Sequence, residues 1–424
     1  MNKTTIFNKT ITNKQNYINN VTPKEMKTHD GKSFTRNRSL TLKRMMSILL
    51  QGITKALQLQ LDDYYEGIGC KGETVSKQAF SKARTNLDPN IVKESFLITT
   101  RLLSSCDDLD FYKGKYRLCA IDGSATALDN AEPLREHFGC SGRKATATTA
   151  LTSLCYDPLN NTILDGGIYP YATDERTAAR AHIKAVGELP LLKGIENLYI
   201  FDRGYPSKEF MSELLNSDIK FLFRVRKKFN LDIDDVAKKE KVSFSYNGKD
   251  YQVRVFKINL PSGETETLVT NVGGKYLKHK EAGELYFKRW CIETKFNSLK
   301  NKLELENMSG RRPITVYQDF WAKLDIANTI AALEFSTNEA IEAQTSDNNN
   351  IYRQTTNENR LISHFSKRYA DLLCEPDKNK RRALFDELVR DITKYPVEVK
   401  PDRAFIRKTP RKMKFHDRLK RVLR

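Results

Sequence analysis

No stretch of the 424-residue chain is apolar for the about 18 residues that a membrane-spanning helix needs, so no helical membrane anchor is expected. The opening residues, MNKTTIFNKTITNK, lack the apolar core of a secretory signal. Cysteine is sparse and unpatterned. The seven thiols, at Cys70, Cys106, Cys119, Cys140, Cys155, Cys291 and Cys374, form no Cys-x-x-Cys pair and stand in no zinc-like spacing with histidine. Structural zinc and a cysteine nucleophile are therefore set aside, and an odd set of scattered thiols suits a reducing cytoplasm. The six histidines show no arrangement with Ser or Cys that suggests a hydrolytic triad, and His137 and His182 read as structural or surface groups. Internal repeats and heptad arrays are missing too.

What is present in excess is positive charge. The net charge is +19, from 72 Lys and Arg against 53 Asp and Glu. Residues 1–50 carry ten Lys/Arg and two Asp/Glu, and residues 400–424 carry eleven Lys/Arg and two Asp, so the two ends hold nearly all of the surplus. Basic ends on a near-neutral body read either as arms laid along a polyanion, nucleic acid first, or as solvated tails. The content, 39% hydrophobic and 29% charged, fits a folded chain long enough for two or three domains.

Residues 1–35 are polar, rich in Asn, Thr and Lys, and are expected to be poorly ordered or ordered only on binding. Leu40–Tyr64 has the apolar spacing of one long helix. Residues 74–87 read as a short helix capped by Thr74 or Ser76, with Lys77, Ser81 and Arg84 on its polar face. That face suits DNA, as in a helix-turn-helix, or plain solvent. From Tyr116 the period changes. Residues 116–122 form an apolar run that ends in Asp122, and residues 198–202 form another that ends in Asp202. Residues 145–156 and 162–169 read as strands joined by a turn at 157–161. Helices are expected at 174–187 and 206–216, and a strand at 220–226. Residues 227–272 interrupt this order with three more strands. A long helix is then expected from Lys280 to Leu305, another from Pro313 to Phe335, a linker at 336–358, helices near 361–374 and 379–393, and a basic tail. The resulting division is a helical N-terminal region over 1–110, whose polar face suits DNA or solvent, an α/β domain over 111–335 with the insertion at about 227–272, and a linker with a helical basic region over 336–424.

Two buried strands that end in acids place carboxylates at the carboxyl edge of a sheet, where α/β folds put their ligands. Like charges brought together there need a cation between them, and oxygen-only ligands select Mg²⁺ or Mn²⁺. On the helix after the insertion, Tyr286, Arg289, Glu293 and Lys300 share one face within roughly 60° at helical spacing. An acid flanked by two cations and a phenol can hold metal while the cations hold phosphates. Alone, Arg289 and Glu293 are equally a surface ion pair one helical turn apart. Asp165, Asp174, Glu175 and Glu188 lie in a hairpin or a helix instead of at strand ends and are left out of the acid set. Trp290 is read chiefly as a packing side chain, with base stacking as the other reading.

Three blocks resemble the bacterial DDE transposases of the insertion-sequence-four family. They are Ala120-Ile-Asp122-Gly-Ser124, Phe201-Asp202-Arg-Gly-Tyr205, and Tyr286-x2-Arg289-x3-Glu293-x6-Lys300, which fits the family's Y-R-E-K signature at full spacing. Leu303-Glu-Leu-Glu306, Ser309-Gly-Arg-Arg-Pro313 and the segment from Phe34 to Arg84 are similar as well, so the likeness runs from about residue 33 to about residue 335. It implies an RNase H-like core, a mixed sheet with flanking helices, with a β-rich insertion between the second Asp and the Glu. It implies a metal-binding catalytic triad of Asp122, Asp202 and Glu293, with Mg²⁺ as cofactor and Mn²⁺ as substitute. It further implies that Tyr286, Arg289 and Lys300 contact the transposon end, and it places Arg203 and Tyr205 beside the second acid, where they orient it or touch a phosphate, Tyr205 being equally a packing aromatic. Lys77 and Arg84 are further DNA candidates. The expected partners are double-stranded DNA, both the element's terminal inverted repeats and the target, and a second copy in a homodimer on paired ends, in a bacterial cytoplasm at the nucleoid. Two alternatives stay open: an RNase H-like nuclease without strand transfer, and an inactive transposase-derived DNA-binding protein.

Overall fold

Alternation along two short parallel strands sets the middle of the sheet. In β1 (Tyr116–Ala127) and the later strand Glu196–Phe201, Leu118, Leu198 and Ile200 face one side, and Cys119, Ile121, Tyr199 and Phe201 face the other. Both faces are apolar, so both must be covered. The computed structural model describes residues 3–21, 34, 39–53, 55–142, 146–230, 233, 239–260, 263–346 and 351–400.

In chain order the helices before β1 are α1 (Ile6–Asn20), α2 (Leu42–Leu50), α3 (Leu57–Gly67), α4 (Lys77–Arg84) and α5 (Pro89–Ser104). After β1 come α6 (Glu132–Phe138), β2 (Cys140–Ser141), β3 (Ala147–Asp157), β4 (Thr162–Pro170) and α7 (Glu175–Gly187). The strand Glu196–Phe201 is β5, followed by α8 (Lys208–Asn216) and β6 (Lys220–Val225). Then follow β7 (Lys239–Tyr246), β8 (Lys249–Asn259), β9 (Thr265–Thr270), α9 (His279–Phe287) and α10 (Trp290–Asn301). Three helices, α11 (Pro313–Thr345), α12 (Glu358–Cys374) and α13 (Lys378–Thr393), come after them. No helix of the described residues is long and apolar enough to cross a membrane.

The chain forms two compact units. One comprises Met1–Asp108, Thr126–Thr149 and Leu299–Arg424, and the other comprises Leu109–Ala125 and Ala150–Ser298. The expected N-terminal and C-terminal helical regions thus fall in one unit. The strands run in the order β2-β3-β1-β5-β6-β9-β8-β7, with β4 also paired to β3. Strands β1, β5 and β6 are mutually parallel, and β4 is antiparallel to β3. With α7 and α8 on one face and α9 on the other, this is the RNase H-like core, a mixed sheet flanked by helices.

The inserted strands are where the sequence places them, and they lengthen the core sheet. Strand β9 pairs antiparallel with β6, Leu222 opposite Thr270, and β8 and β7 add beyond it. The reason lies in β6. Phe221, Phe223 and Val225 are buried on one face and Leu222 on the other, so an unpaired edge here would strand backbone donors beside apolar surface.

Three expectations are corrected. The N-terminal segment contains α1, with Ile6, Phe7, Ile11 and Ile18 buried and Phe7 stacked on Phe385 at 5.3 Å. Its Asn- and Thr-rich composition hides a helical apolar stripe. The single helix expected over Leu40–Tyr64 is two, α2 and α3. Between them Gly52 takes φ +75°, and a Cβ there would lie 3.1 Å from the Ile326 side chain. The linker expected from residue 336 is helical up to Thr345 as part of α11. The strongly basic segment 401–424 lies outside the described residues.

Candidate active site

Register brings the first two acids together. Ile121 lies opposite Phe201 in the parallel β1–β5 pair, so Asp122, still within β1, and Asp202, just past the carboxyl end of β5, stand one residue beyond, side by side. By alternation both continue the Leu118 and Leu198–Ile200 series, the face on which Ala282, Leu285 and Tyr286 of α9 pack.

The third acid arrives from that face. Tyr286 donates its hydroxyl to Asp202 Oδ1 at 3.3 Å. Arg289 donates Nη1 to Asp122 Oδ2 at 3.4 Å and Nη2 to Glu293 Oε1 at 2.9 Å. One guanidinium thus joins the first and third acids, and one phenol holds the second. Both groups are buried, Arg289 at 3% exposure and Tyr286 at 2%. Burial pushes the Asp122 carboxyl up to about 7 against the pull of Arg289, with Asp202 and Glu175 adding to the rise.

The helix expected over Lys280–Leu305 is broken at this point. Helix α9 ends at Phe287 and α10 begins at Trp290. The Arg289 amide donates to the Tyr286 carbonyl at 3.0 Å, closing a turn tighter than an α-helix. Phe287-Lys288-Arg289 contains neither Gly nor Pro. The break is tertiary in origin, with Arg289 turned inward to two carboxylates.

A fourth acid stands at this edge, although it ends no strand. Glu175 lies in the first turn of α7, and the structure puts its carboxylate against both acid-bearing segments, β1 at Gly123 and the loop after β5 at Gly204. A Cβ on Gly123 would lie 2.7 Å from its Oε1, and one on Gly204 would lie 3.5 Å from its Oε2. Burial and the neighbouring Asp202 push its carboxyl up. Arg176, next along, donates Nε to the Tyr205 carbonyl at 3.1 Å. The glycine in Asp122-Gly123 was the available signal, since a missing Cβ beside an acid marks a close approach. Of the other acids set aside, Asp174 is exposed at the N-cap of α7. Asp165 contacts His182 Nδ1 at 2.7 Å, His182 Nε2 lies 3.0 Å from Ser153 Oγ, and Ser153 Oγ donates to the Asp122 carbonyl at 3.3 Å. A Ser–His–Asp row therefore exists, and it has the structural character expected of His182. All three residues are buried, so the row braces β3, β4 and α7 behind Asp122 and meets no substrate.

The expected DNA contacts divide by exposure. Arg84 is turned inward at 2% exposure, paired with Asp319 at 2.6 Å and hydrogen-bonded to Gln318, Ser309 and the Thr315 carbonyl. That corrects its place on a DNA-facing stripe: a short amphipathic helix has a boundary position, and Arg84 occupies it. Tyr205 is buried on Phe201 at 5.4 Å, and Tyr286 and Arg289 hold acids instead of facing outward. Arg203 and Lys77 are exposed. Lys300 pairs with Glu306 at 3.1 Å. Trp290 is half-buried, with the Arg289 guanidinium 5.0 Å from its ring centre.

The donor set here is entirely carboxylate oxygen, which fits a hard divalent cation such as Mg²⁺ or Mn²⁺ and not zinc. Among the described residues no three His, Cys, Asp or Glu are already drawn into a ligand group. The Arg289 guanidinium stands between Asp122 and Glu293 and supplies their positive partner.

Residues 114–328 match the transposase DDE domain family, a span that includes Asp122, Asp202 and Glu293. No curated protein matches the chain. Among solved structures, the chain is similar to a piggyBac transposase synaptic complex with hairpin DNA seen by cryo-electron microscopy. The likeness covers 92% of this chain and 85% of that one, at 11% sequence identity and a TM-score of 0.45. Matched over half its length, the chain belongs to the family of transposases with a DDE domain.

Proposed function

We propose that the protein cuts DNA at the ends of an insertion sequence and joins the freed ends to target DNA, with Asp122, Asp202 and Glu293 holding Mg²⁺, or Mn²⁺ in its place. The observation that carries this reading is the sharing of one buried guanidinium by Asp122 and Glu293 beside a phenol-held Asp202. Asp122, Asp202 and Glu293 would hold a divalent ion, which would supply positive charge to offset the charge that builds on the phosphodiester during in-line displacement.

The chain's own residues supply position. Strands β1 and β5 fix Asp122 and Asp202 in register, Tyr286 orients Asp202, and Arg289 offsets the repulsion between Asp122 and Glu293. In the first reaction a water oxygen bonds to phosphorus and the bond to the 3′ oxygen breaks, which frees a 3′-hydroxyl. In the second, that hydroxyl oxygen attacks a target phosphorus and one target P–O bond breaks, so the number of phosphodiesters is conserved. Arg203, Lys77 and Lys300 are proposed as phosphate contacts, and a homodimer on paired ends as the working form.

A labelled inverted-repeat duplex incubated with a target plasmid and Mg²⁺ tests this. Wild-type protein is expected to yield both cut and joined products. Asp122→Asn is expected to lower cleavage at least ~100-fold while end binding in a gel shift persists. Cleavage by Asp122→Asn at the wild-type rate sinks the acid assignment. Cutting without joining indicates an RNase H-like nuclease, and binding without cutting indicates a transposase-derived DNA-binding protein.

A further inference from the structure

Helix α7 reaches the acid-bearing edge from the face opposite α9. Its Ala179 and Val186 pack with Cys119, Ile121, Tyr199 and Phe201, and its first turn lies level with Gly123 within β1 and with Gly204 just past the end of β5. Gly123 continues the Cys119–Ile121 series and faces α7, and the space its missing Cβ leaves is where Glu175 Oε1 stands. The other oxygen of Glu175 lies at Gly204, two residues after Asp202. Among the described residues this carboxylate takes up no hydrogen bond or ion pair. Beside it the Tyr205 hydroxyl is buried without a hydrogen-bond partner, in the field of Glu175, Asp122 and Asp202. Four carboxylates against the Arg289 guanidinium, with that of Arg176 beside Glu175, leave an excess of negative charge that a cation relieves.

We propose that Glu175 is a fourth oxygen ligand of the divalent-cation site, reaching it through the gap left by Gly123. This rests on the assignment of Asp122 and Asp202 to that site. The Asp122 and Asp202 carboxylates approach from one face of the sheet and Glu175 from the other, so cations at the edge are held from both layers. The Tyr205 hydroxyl is the donor left for an oxygen of that ligand set.

Mn²⁺ binding to the full chain without DNA, followed by titration calorimetry, tests the proposal without relying on turnover. Glu175→Gln is expected to weaken Mn²⁺ binding at least ~10-fold. Glu188→Gln, at the far end of the same helix, is expected to bind as wild type does. Gly123→Ala keeps the acid but places a methyl 2.7 Å from Oε1, so it is expected to weaken binding in the same direction. Melting in EDTA reports folding, and Glu175→Gln is expected to melt no lower than wild type, because it removes one of the repelling charges. If Glu175→Gln does not fold, Gly123→Ala decides. Wild-type Mn²⁺ affinity in both variants, with loss in Asp122→Asn, overturns the role of Glu175 and leaves the three-acid reading standing. Wild-type affinity in Asp122→Asn as well overturns both.

Discussion

Asp157 closes the turn between β3 and β4 while almost fully buried, accepting from the Leu159 amide at 3.0 Å and from Asn160 Nδ2 at 2.8 Å. Burial pushes its carboxyl from 3.8 up to about 6, against those hydrogen bonds. The folded state therefore binds this proton more tightly than the unfolded chain does. The contribution to stability is complete below the unfolded value and is lost as pH rises through about 6. Asp157→Asn removes that titration. Its stability relative to wild type is expected to rise between about pH 4 and about pH 7.5, by on the order of 2–3 kcal/mol. Urea unfolding at the two pH values measures it, and a pH-independent difference rules it out. At the residue scale the sequence is least informative. Arg84 and Arg289 look alike as cations on helical faces, yet both are buried against carboxylates supplied by distant elements, Asp319 for the first and Asp122 for the second. Spacing along a chain tells which residues share a face. It does not tell which face the rest of the protein covers.

Helix α1 shows what an element needs when its composition argues against order. Its Lys14 is buried and pairs with Asp325 of α11 at 2.6 Å, while also donating to Thr329 at 2.6 Å and to the Tyr369 hydroxyl at 3.1 Å. Asp325 accepts further from Ser95 and Thr99, both at 3.3 Å. Lys14→Met leaves that acid buried without its cation and is expected to cost about 3–5 kcal/mol. Adding Asp325→Leu removes the stranded charge and is expected to recover more than half. Denaturant unfolding of the single and double variants checks this, and a single variant as stable as wild type sinks it. The strands were legible for a different reason. Leu118 to Ile121 and Leu198 to Phe201 alternate between two apolar faces and stop at an acid, a pattern that few alternatives share. Helix breaks were not legible. The one at Gly52 needs a left-handed residue and had a glycine to announce it, whereas the one at Phe287–Trp290 comes from the hydrogen bonds of Arg289.

For the whole molecule, topology followed from element order, because strands that alternate with helices pair in parallel and gather their carboxyl ends. Glu175 escaped that logic, since it enters from a helix N-terminus whose docking no local pattern records. Charge is the other property of the whole, and here the two ends differ. Of the ten Lys/Arg in residues 1–50, Lys14 is buried against Asp325, and Arg44 is bound to Glu73 at 2.8 Å. Part of the N-terminal surplus is therefore neutralised within the chain, by one buried pair and one partly exposed pair. Residues 401–424 carry ten Lys/Arg and two Asp, and they make the stronger case for an arm along DNA. Deleting them is expected to flatten the salt dependence of end binding, the slope of log K against log salt shrinking by ~0.9 for every phosphate that the shortened chain leaves unneutralised. A slope change several times that size, with cleavage of saturating DNA at low salt retained, fits an arm that adds affinity without belonging to the active site. Filter binding of the inverted-repeat duplex across a salt series gives the slope. An unchanged slope shows that the basic surplus of this segment does not ride on the phosphates, and the polyanion reading of the C-terminal end falls with it.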